Sequence, residues 1–321
     1  CFGDDGVAMA ELTRYSVPDH MRRRLSRSGA LAVVAGMRAL ERAGLVSERS
    51  AWQLAPALQD AVGVIFASSF SHCEPAMAER DSSSPRRKLA LELCLQANVQ
   101  IAELVKARAF NTFSSSACAS TTVALKIASN AIAAGDCTHC LVVAADAVLG
   151  NSYEELVESF VRLHAATDAD SLEGRTAFAT ERAGFVFGEG AVALVLASGT
   201  AEGAVELVTS RIGNSAYHGT RVDVAHVTDM LERVVTDACD RRGIDRAAFA
   251  RHCLYVSHET GTRLCANAEV AALRSVFGAH VSDVVITNTK ALTGHVMGAS
   301  VEDAVAVTAL QQQRAPAVDV G

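Results

Sequence analysis

The chain has 321 residues, half of them hydrophobic, a fifth charged and only 5% aromatic. That much apolar side chain excludes wholesale disorder, and the length predicts about two domains at roughly 150 residues each. With 29 basic and 36 acidic residues the net charge is −7; scattered cations and few stacking platforms exclude a general nucleic-acid binder.

The elements read in chain order alternate between helix and strand. The segment 22–45 carries apolar residues at helical spacing, an alanine-rich face and a stop at Gly44. Residues 61–68 (AVGVIFAS) form a short apolar run, the pattern of a strand covered on both faces. A strand-like stretch at 108–113 leads to a long alanine-rich helix over 119–134, ended by Gly135. Buried strands follow at 140–147 (CLVVAADA) and 190–197 (GAVALVLA). The back third repeats the theme: a helix at 227–242, a strand at 253–257, a helix at 266–277, a strand at 283–287 and a closing helix at 301–313. Apolar strands alternating with helices predict an α/β protein with largely parallel sheets. The weakest seam between halves is near Gly199 to Gly203, and only Ser82 to Ser84 with Pro85 reads as a flexible loop. The longest nearly unbroken apolar run, 185–197, is shorter than the ~18 residues of a membrane span and contains Glu189. No membrane crossing is expected.

Nine cysteines, an odd number without regular spacing, point to thiols in a reducing, cytoplasmic compartment. The start, CFGDDG, has no initiator Met and no signal-peptide pattern. We expect the sequence to begin, and to end, inside a longer product.

Cys118, in Ser114-Ser115-Ser116-Ala117-Cys118-Ala119-Ser120, sits at a strand-to-helix turn. Backbone N–H groups and the helix dipole there favour a thiolate. On this segment alone a small cysteine packed beside alanines is an equally good reading. Of ten histidines two stand apart: His258, after the strand 253–257, and His295, after the strand 283–287 in Lys290-Ala291-Leu292-Thr293-Gly294-His295. Both follow carboxyl ends of strands, where open α/β sheets place their ligands. Each alone reads more simply as structural; the three together read as a catalytic set.

Four blocks occur here in the order and at the separations seen in the β-ketoacyl-acyl-carrier-protein synthases of the thiolase superfamily: 113–135 with Cys118, 181–191 (ERAGFVFGEGA), the His258 turn, and Lys290 with Gly294-His295. The resemblance spans roughly residues 22–316. It implies a layered αβαβα thiolase fold of two similar interlocked halves, 1–200 carrying Cys118 and 201–321 carrying His258, Lys290 and His295, without the terminal strands of relatives. It implies decarboxylative Claisen condensation, with Cys118 as acyl-accepting nucleophile, His258 and His295 as active-site histidines and Lys290 as their supporting lysine. Cys with two His resembles the elongating synthases; initiating synthases use His and Asn, and thiolases His and a second Cys. The implied partner is an acyl carrier protein, acyl- or malonyl-loaded, and the implied assembly a homodimer or a heterodimer with a related subunit. No metal, nicotinamide or flavin is implied.

The chain departs from the family pattern in several places. Glu259 follows the first histidine where relatives have Gly, and a carboxylate beside a developing enolate must point away to be tolerated. Ala179 replaces an Asp, and the turn after His295, Gly298-Ala299-Ser300, is two residues short. Glu302 is the candidate for a family glutamate near the lysine. The Gly-rich N-terminal strand and the C-terminal Gly-Phe-Gly-Gly loop are not in the sequence. These departures support an alternative, a non-condensing partner subunit governing chain length or carrier binding; retention of Cys118 opposes it. A CoA-dependent thiolase is disfavoured by His295. Cys137-Thr138-His139-Cys140 has metal-like spacing but no second pair of ligands nearby. Asp168, Asp170 and Glu173 read as a solvated loop. The cluster His20, Arg22, Arg23, Arg24 and Arg27 reads as a helix surface, or as attraction for an acidic carrier protein.

Overall fold

The computed structural model describes residues 5–23, 25–70, 96–149, 154–163, 165–166, 184–200, 203–217 and 222–313. Ser82 to Ser84, Ala179, the 181–183 start of the second family block, the Asp168–Glu173 acids and Arg24 lie outside the described residues. The described elements run α1 (Asp5–Arg14), α2 (Asp19–Arg22), α3 (Arg27–Arg42), β1 (Val62–Ala67), α4 (Ala97–Val105), β2 (Asn111–Ser114), α5 (Ser120–Ala134), β3 (His139–Asp146), α6 (Glu154–Arg162), β4 (Gly190–Ala197), α7 (Val224–Arg242), α8 (Arg246–Arg251), β5 (Leu254–Val256), α9 (Arg263–Phe277), β6 (Val285–Thr287), α10 (Lys290–Thr293) and α11 (Val301–Gln313). They form two compact units that interleave along the chain, one of 1–156, 187–201 and 296–304, the other of 157–186, 202–295 and 305–321.

The first unit is built on a sheet of order β2-β1-β3-β4. β1 pairs in parallel with β2 and β3, and β4 closes the far side antiparallel to β3. Every residue of β1 is buried, which explains its unbroken apolar run. Successive side chains alternate between faces: Val62, Val64 and Phe66 join Val33, Met37, Leu40 and Ile101 of α3 and α4, whereas Ile65 and Ala67 join Ala124 and Ala128 of α5. The expected buried strand 190–197 forms as β4, but as a half-exposed sheet edge.

Local chemistry sets the helix ends. The helix expected over 22–45 begins later, as α3 at Arg27, because Ser26 caps it by accepting from the Gly29 amide at 3.1 Å; α2 is a short turn that shares only Arg22 with the expected range. α5 ends where expected, at Gly135 with φ +83°. The window Ala117–Ala134 has the length and apolarity of a membrane span, which the expectation above did not register. One face of α5 lies against β1 and β3, with Ala124 and Ala128 fully buried.

In the second unit β5 and β6 pair in parallel. A core of Val235, Cys239, Ala250, Leu273, Val276, Phe277 and Val284 joins α7, α8 and α9. α7 and α9 begin three residues earlier than expected, because Asp223 and Thr262 cap them through the amides of Ala225 and Cys265. The two strands are less buried than their composition predicts. Tyr255 packs on the helical core, while Leu254, on the opposite face, and Val285 and Ile286 are exposed.

Candidate active site

In the first unit, Ala67 of β1 stands opposite Ser114 of β2, so both strands deliver their carboxyl ends to one edge of the sheet. The turn from β2 into α5 carries Cys118, half-buried, immediately before the helix. Ala117 takes a left-handed φ of +49°, a conformation costly for a residue with a Cβ. Ser120 holds it: its Oγ accepts from the Ser116 amide at 2.8 Å and donates to the Ala117 carbonyl at 2.6 Å. None of the six described cysteines is in a disulfide. Burial pushes Cys140 up to about 12 and raises Cys137 as well; thiols held protonated are poor metal ligands.

In the second unit, His258 leaves β5 and Lys290 follows β6. Asn288 joins the two turns, its amide donating to the carbonyls of Glu259 at 2.8 Å and Ser257 at 3.3 Å. The backbone N–H of His295 donates to the Val186 carbonyl at 2.7 Å. Its ring is 3% exposed and meets the His258 ring edge to face at 5.5 Å, with Phe185 edge to face on it at 5.3 Å. The structure thus brings His258, His295 and the buried Lys290 together in this unit, and carries Cys118 on the first. Burial, then the positive charges of His258 and Lys290, hold His295 well below the ordinary 6.5 of an imidazole. A neutral ring results, with one N–H donor and one acceptor, able to hydrogen-bond a developing oxyanion.

Two carboxylates shape the His258 turn. Glu259 is fully buried, and its Oε1 accepts from the Gly261 amide at 2.9 Å, which folds the carboxylate back onto its own turn. Glu269, on α9, was passed over in the sequence. It accepts from Ser257 Oγ, from the His258 backbone N–H at 2.7 Å and from the Tyr255 hydroxyl at 3.2 Å. A signal was available: Glu269 lies four and seven residues before Leu273 and Val276, on the apolar stripe of its helix. Glu302, the sequence candidate for a family glutamate near the lysine, accepts from Ser300 Oγ at 3.2 Å.

The family description "Beta-ketoacyl synthase, N-terminal domain" matches residues 5–201, and "Beta-ketoacyl synthase, C-terminal domain" matches 205–318. The chain is 26% identical over 313 residues to the 3-oxoacyl-[acyl-carrier-protein] synthase 2 of Staphylococcus aureus, covering 90% of this chain and 73% of that one. Its fold is similar to a crystal structure of a β-ketoacyl synthase from Burkholderia phymatum STM815, with a TM-score of 0.72 and 24% identity over 92% of this chain and 71% of that one. It is also similar to a type II PKS acyl-carrier protein complex with its ketosynthase bound to the hexaketide, with a TM-score of 0.71 and 20% identity over 93% and 73%. A ketosynthase/chain length factor from ishigamide synthesis aligns with a TM-score of 0.65 and 20% identity over 90% and 68%. With both family domains matched in sequence over nearly the whole chain, the protein belongs to the β-ketoacyl synthase family: a condensing, acyl-transferring ketosynthase of fatty acid or polyketide synthesis on a thiolase-like α/β fold.

Proposed function

We propose that Cys118 is the acyl acceptor and that His258 and His295, supported by Lys290, stabilise the enolate of the condensation. The Cys118 thiolate attacks the thioester carbonyl of an acyl-loaded carrier protein, and the carrier thiol leaves. A malonyl-loaded carrier then loses carbon dioxide; the electron pair of the broken C–C bond becomes an enolate whose oxygen accepts hydrogen bonds from the two imidazoles. The enolate carbon attacks the Cys118 thioester, Cys118 leaves as thiolate, and a β-ketoacyl chain two carbons longer remains on the carrier. The observation that carries this reading is His295, buried, held neutral and packed against His258 and Phe185. The protein acts as a homodimer in the cytoplasm and takes both substrates from acyl carrier protein.

The test is intact-protein mass spectrometry after incubation with acyl-carrier protein, then with malonyl-carrier protein, for wild type and Cys118→Ala. The reading predicts an acyl adduct on wild type alone, discharged as the β-keto product. An adduct that persists in Cys118→Ala overturns the nucleophile assignment. The second reading, a non-condensing partner subunit, is favoured by Glu259, a fully buried acid directly after His258 in the chain; absence of any adduct in a folded protein would select it.

A further inference from the structure

The Cys118 turn is tied to a segment far away in sequence. Thr121, in the first turn of α5, donates twice to the carbonyl of Gly298, from its amide at 3.2 Å and its hydroxyl at 2.6 Å. Its Oγ1 also accepts from the Ser300 amide at 2.9 Å. The other side of the Gly298 peptide is gripped by Asp146 at the end of β3, whose Oδ2 accepts the Gly298 amide at 2.7 Å. A Cβ at residue 298 would lie 2.6 Å from the Ser69 nitrogen and 2.9 Å from Asp146 Oδ2, so the grip closes on glycine alone.

Asp146 receives donors only: the Ser68 hydroxyl and the amides of Ser69, Phe70 and Gly298. It is 1% exposed; burial raises its pKa and those four donors act against burial. The same arrangement recurs in the second unit. There Ser257 Oγ donates to Glu269, the next amide, that of His258, donates to Glu269, and the amide after it donates back to Ser257 Oγ. In the first unit Ser68 Oγ donates to Asp146, the Ser69 amide donates to Asp146, and the Phe70 amide donates to Ser68 Oγ. In one unit this device fixes the backbone of His258. In the other its carboxylate also accepts from the Phe70 amide and from the Gly298 amide, and through Gly298 it reaches Thr121, three residues after Cys118.

We propose that Asp146 is a positioning residue for the nucleophile, acting through the Gly298 peptide and Thr121 on the turn that presents Cys118. This rests on Cys118 being the acyl acceptor. An oriented nucleophile gains rate from its placement, and small displacements of it cost large factors.

The experiment measures the single-turnover rate of Cys118 acylation by acyl-carrier protein at varied donor concentration, with circular dichroism melting of each protein. Thr121→Val keeps shape and burial but removes the hydroxyl; its maximal acylation rate should fall about tenfold with half-saturation unchanged, and Thr121→Ser should return it to within about twofold. Asp146→Asn sets an amide N–H against a backbone donor and should slow acylation comparably. The two together should be no slower than the slower one, since both act through Gly298. If Asp146→Asn does not fold, the Thr121 pair decides. A wild-type rate in folded Thr121→Val, a Thr121→Ser protein as slow as Thr121→Val, or multiplying losses in the double variant would each overturn the proposal. The Cys118→Ala control separates the readings: an adduct there removes the nucleophile assignment, whereas a Cys118-dependent adduct formed at full rate by Thr121→Val removes only the role of Asp146.

Discussion

Replacing Glu269 tests whether the His258 turn is held by the carboxylate of α9. Three donors converge on it: Ser257 Oγ, the His258 amide at 2.7 Å and the Tyr255 hydroxyl at 3.2 Å. The Tyr255 phenol is a donor throughout the working range, because burial and the Glu269 charge hold it protonated well above its ordinary 10. Glu269→Ala strands all three. At about 1 to 3 kcal/mol for each buried donor left unsatisfied, and at the low end here because Tyr255 is only half-buried and His258 is exposed, the loss is about 2 to 4 kcal/mol. Glu269→Gln is much milder. Its amide oxygen at the Oε1 position keeps the His258 and Tyr255 bonds, and its N–H₂ meets a hydroxyl that can rotate to accept, so the cost is about 1 kcal/mol, the difference between charge-assisted and neutral bonds. Urea denaturation followed by circular dichroism reads both values. In parallel, β-ketoacyl product formation should fall by about tenfold to a hundredfold in Glu269→Ala, because the freed turn no longer fixes the His258 ring. Stability of Glu269→Ala within about 0.5 kcal/mol of wild type, or equal damage from Ala and Gln, would refute the reasoning.

Gly261→Ala should destabilise by about 2 kcal/mol or more, because residue 261 has φ +92° and its Cβ would lie 2.7 Å from the Gly184 carbonyl oxygen; a melting curve coincident with wild type would contradict this. His295 should make stability pH-dependent. Its folded pKa lies below 6.5, so within that window the unfolded chain holds a proton that the folded one lacks, and stability present at neutral pH is lost as pH falls. Unfolding free energies from urea titrations between about pH 7 and about pH 5 should fall more steeply for wild type than for His295→Gln, by up to about 1.4 kcal/mol per pH unit; parallel curves would count against a buried neutral ring.

Much of the fold is legible in the chain because its signals are local. Strand β1 announces itself through an apolar run that two helical layers must cover, and α5 through small residues bounded by Gly135. Capping is local too, yet subtler: the start of the first long helix at Arg27, rather than at Arg22, turns on a single serine, Ser26, whose hydroxyl accepts from the Gly29 amide. The edge position of β4 and the exposure of β6 were not legible, since composition registers that a strand is apolar but not how many neighbours cover it.

For the site, residue type and position after strand ends were enough to single out Cys118, His258 and His295, whereas Lys290, and Glu259 as foreign to the pattern, were marked only by the resemblance to the family. The sequence by itself therefore determined the fold class and the chemical groups the chain offers, because secondary-structure periodicity and side-chain chemistry are properties of short segments. Only the tertiary structure decided how those groups are held. The neutrality of His295 comes from burial and from two neighbouring charges, the tolerance of Glu259 from a carboxylate folded onto the Gly261 amide, and the anchoring of the His258 and Cys118 turns from Glu269 and from Asp146, whose Gly298 partner is 152 residues away. Desolvation and hydrogen bonding are set by atoms within a few ångströms in space, and folding, not proximity along the chain, chooses those atoms.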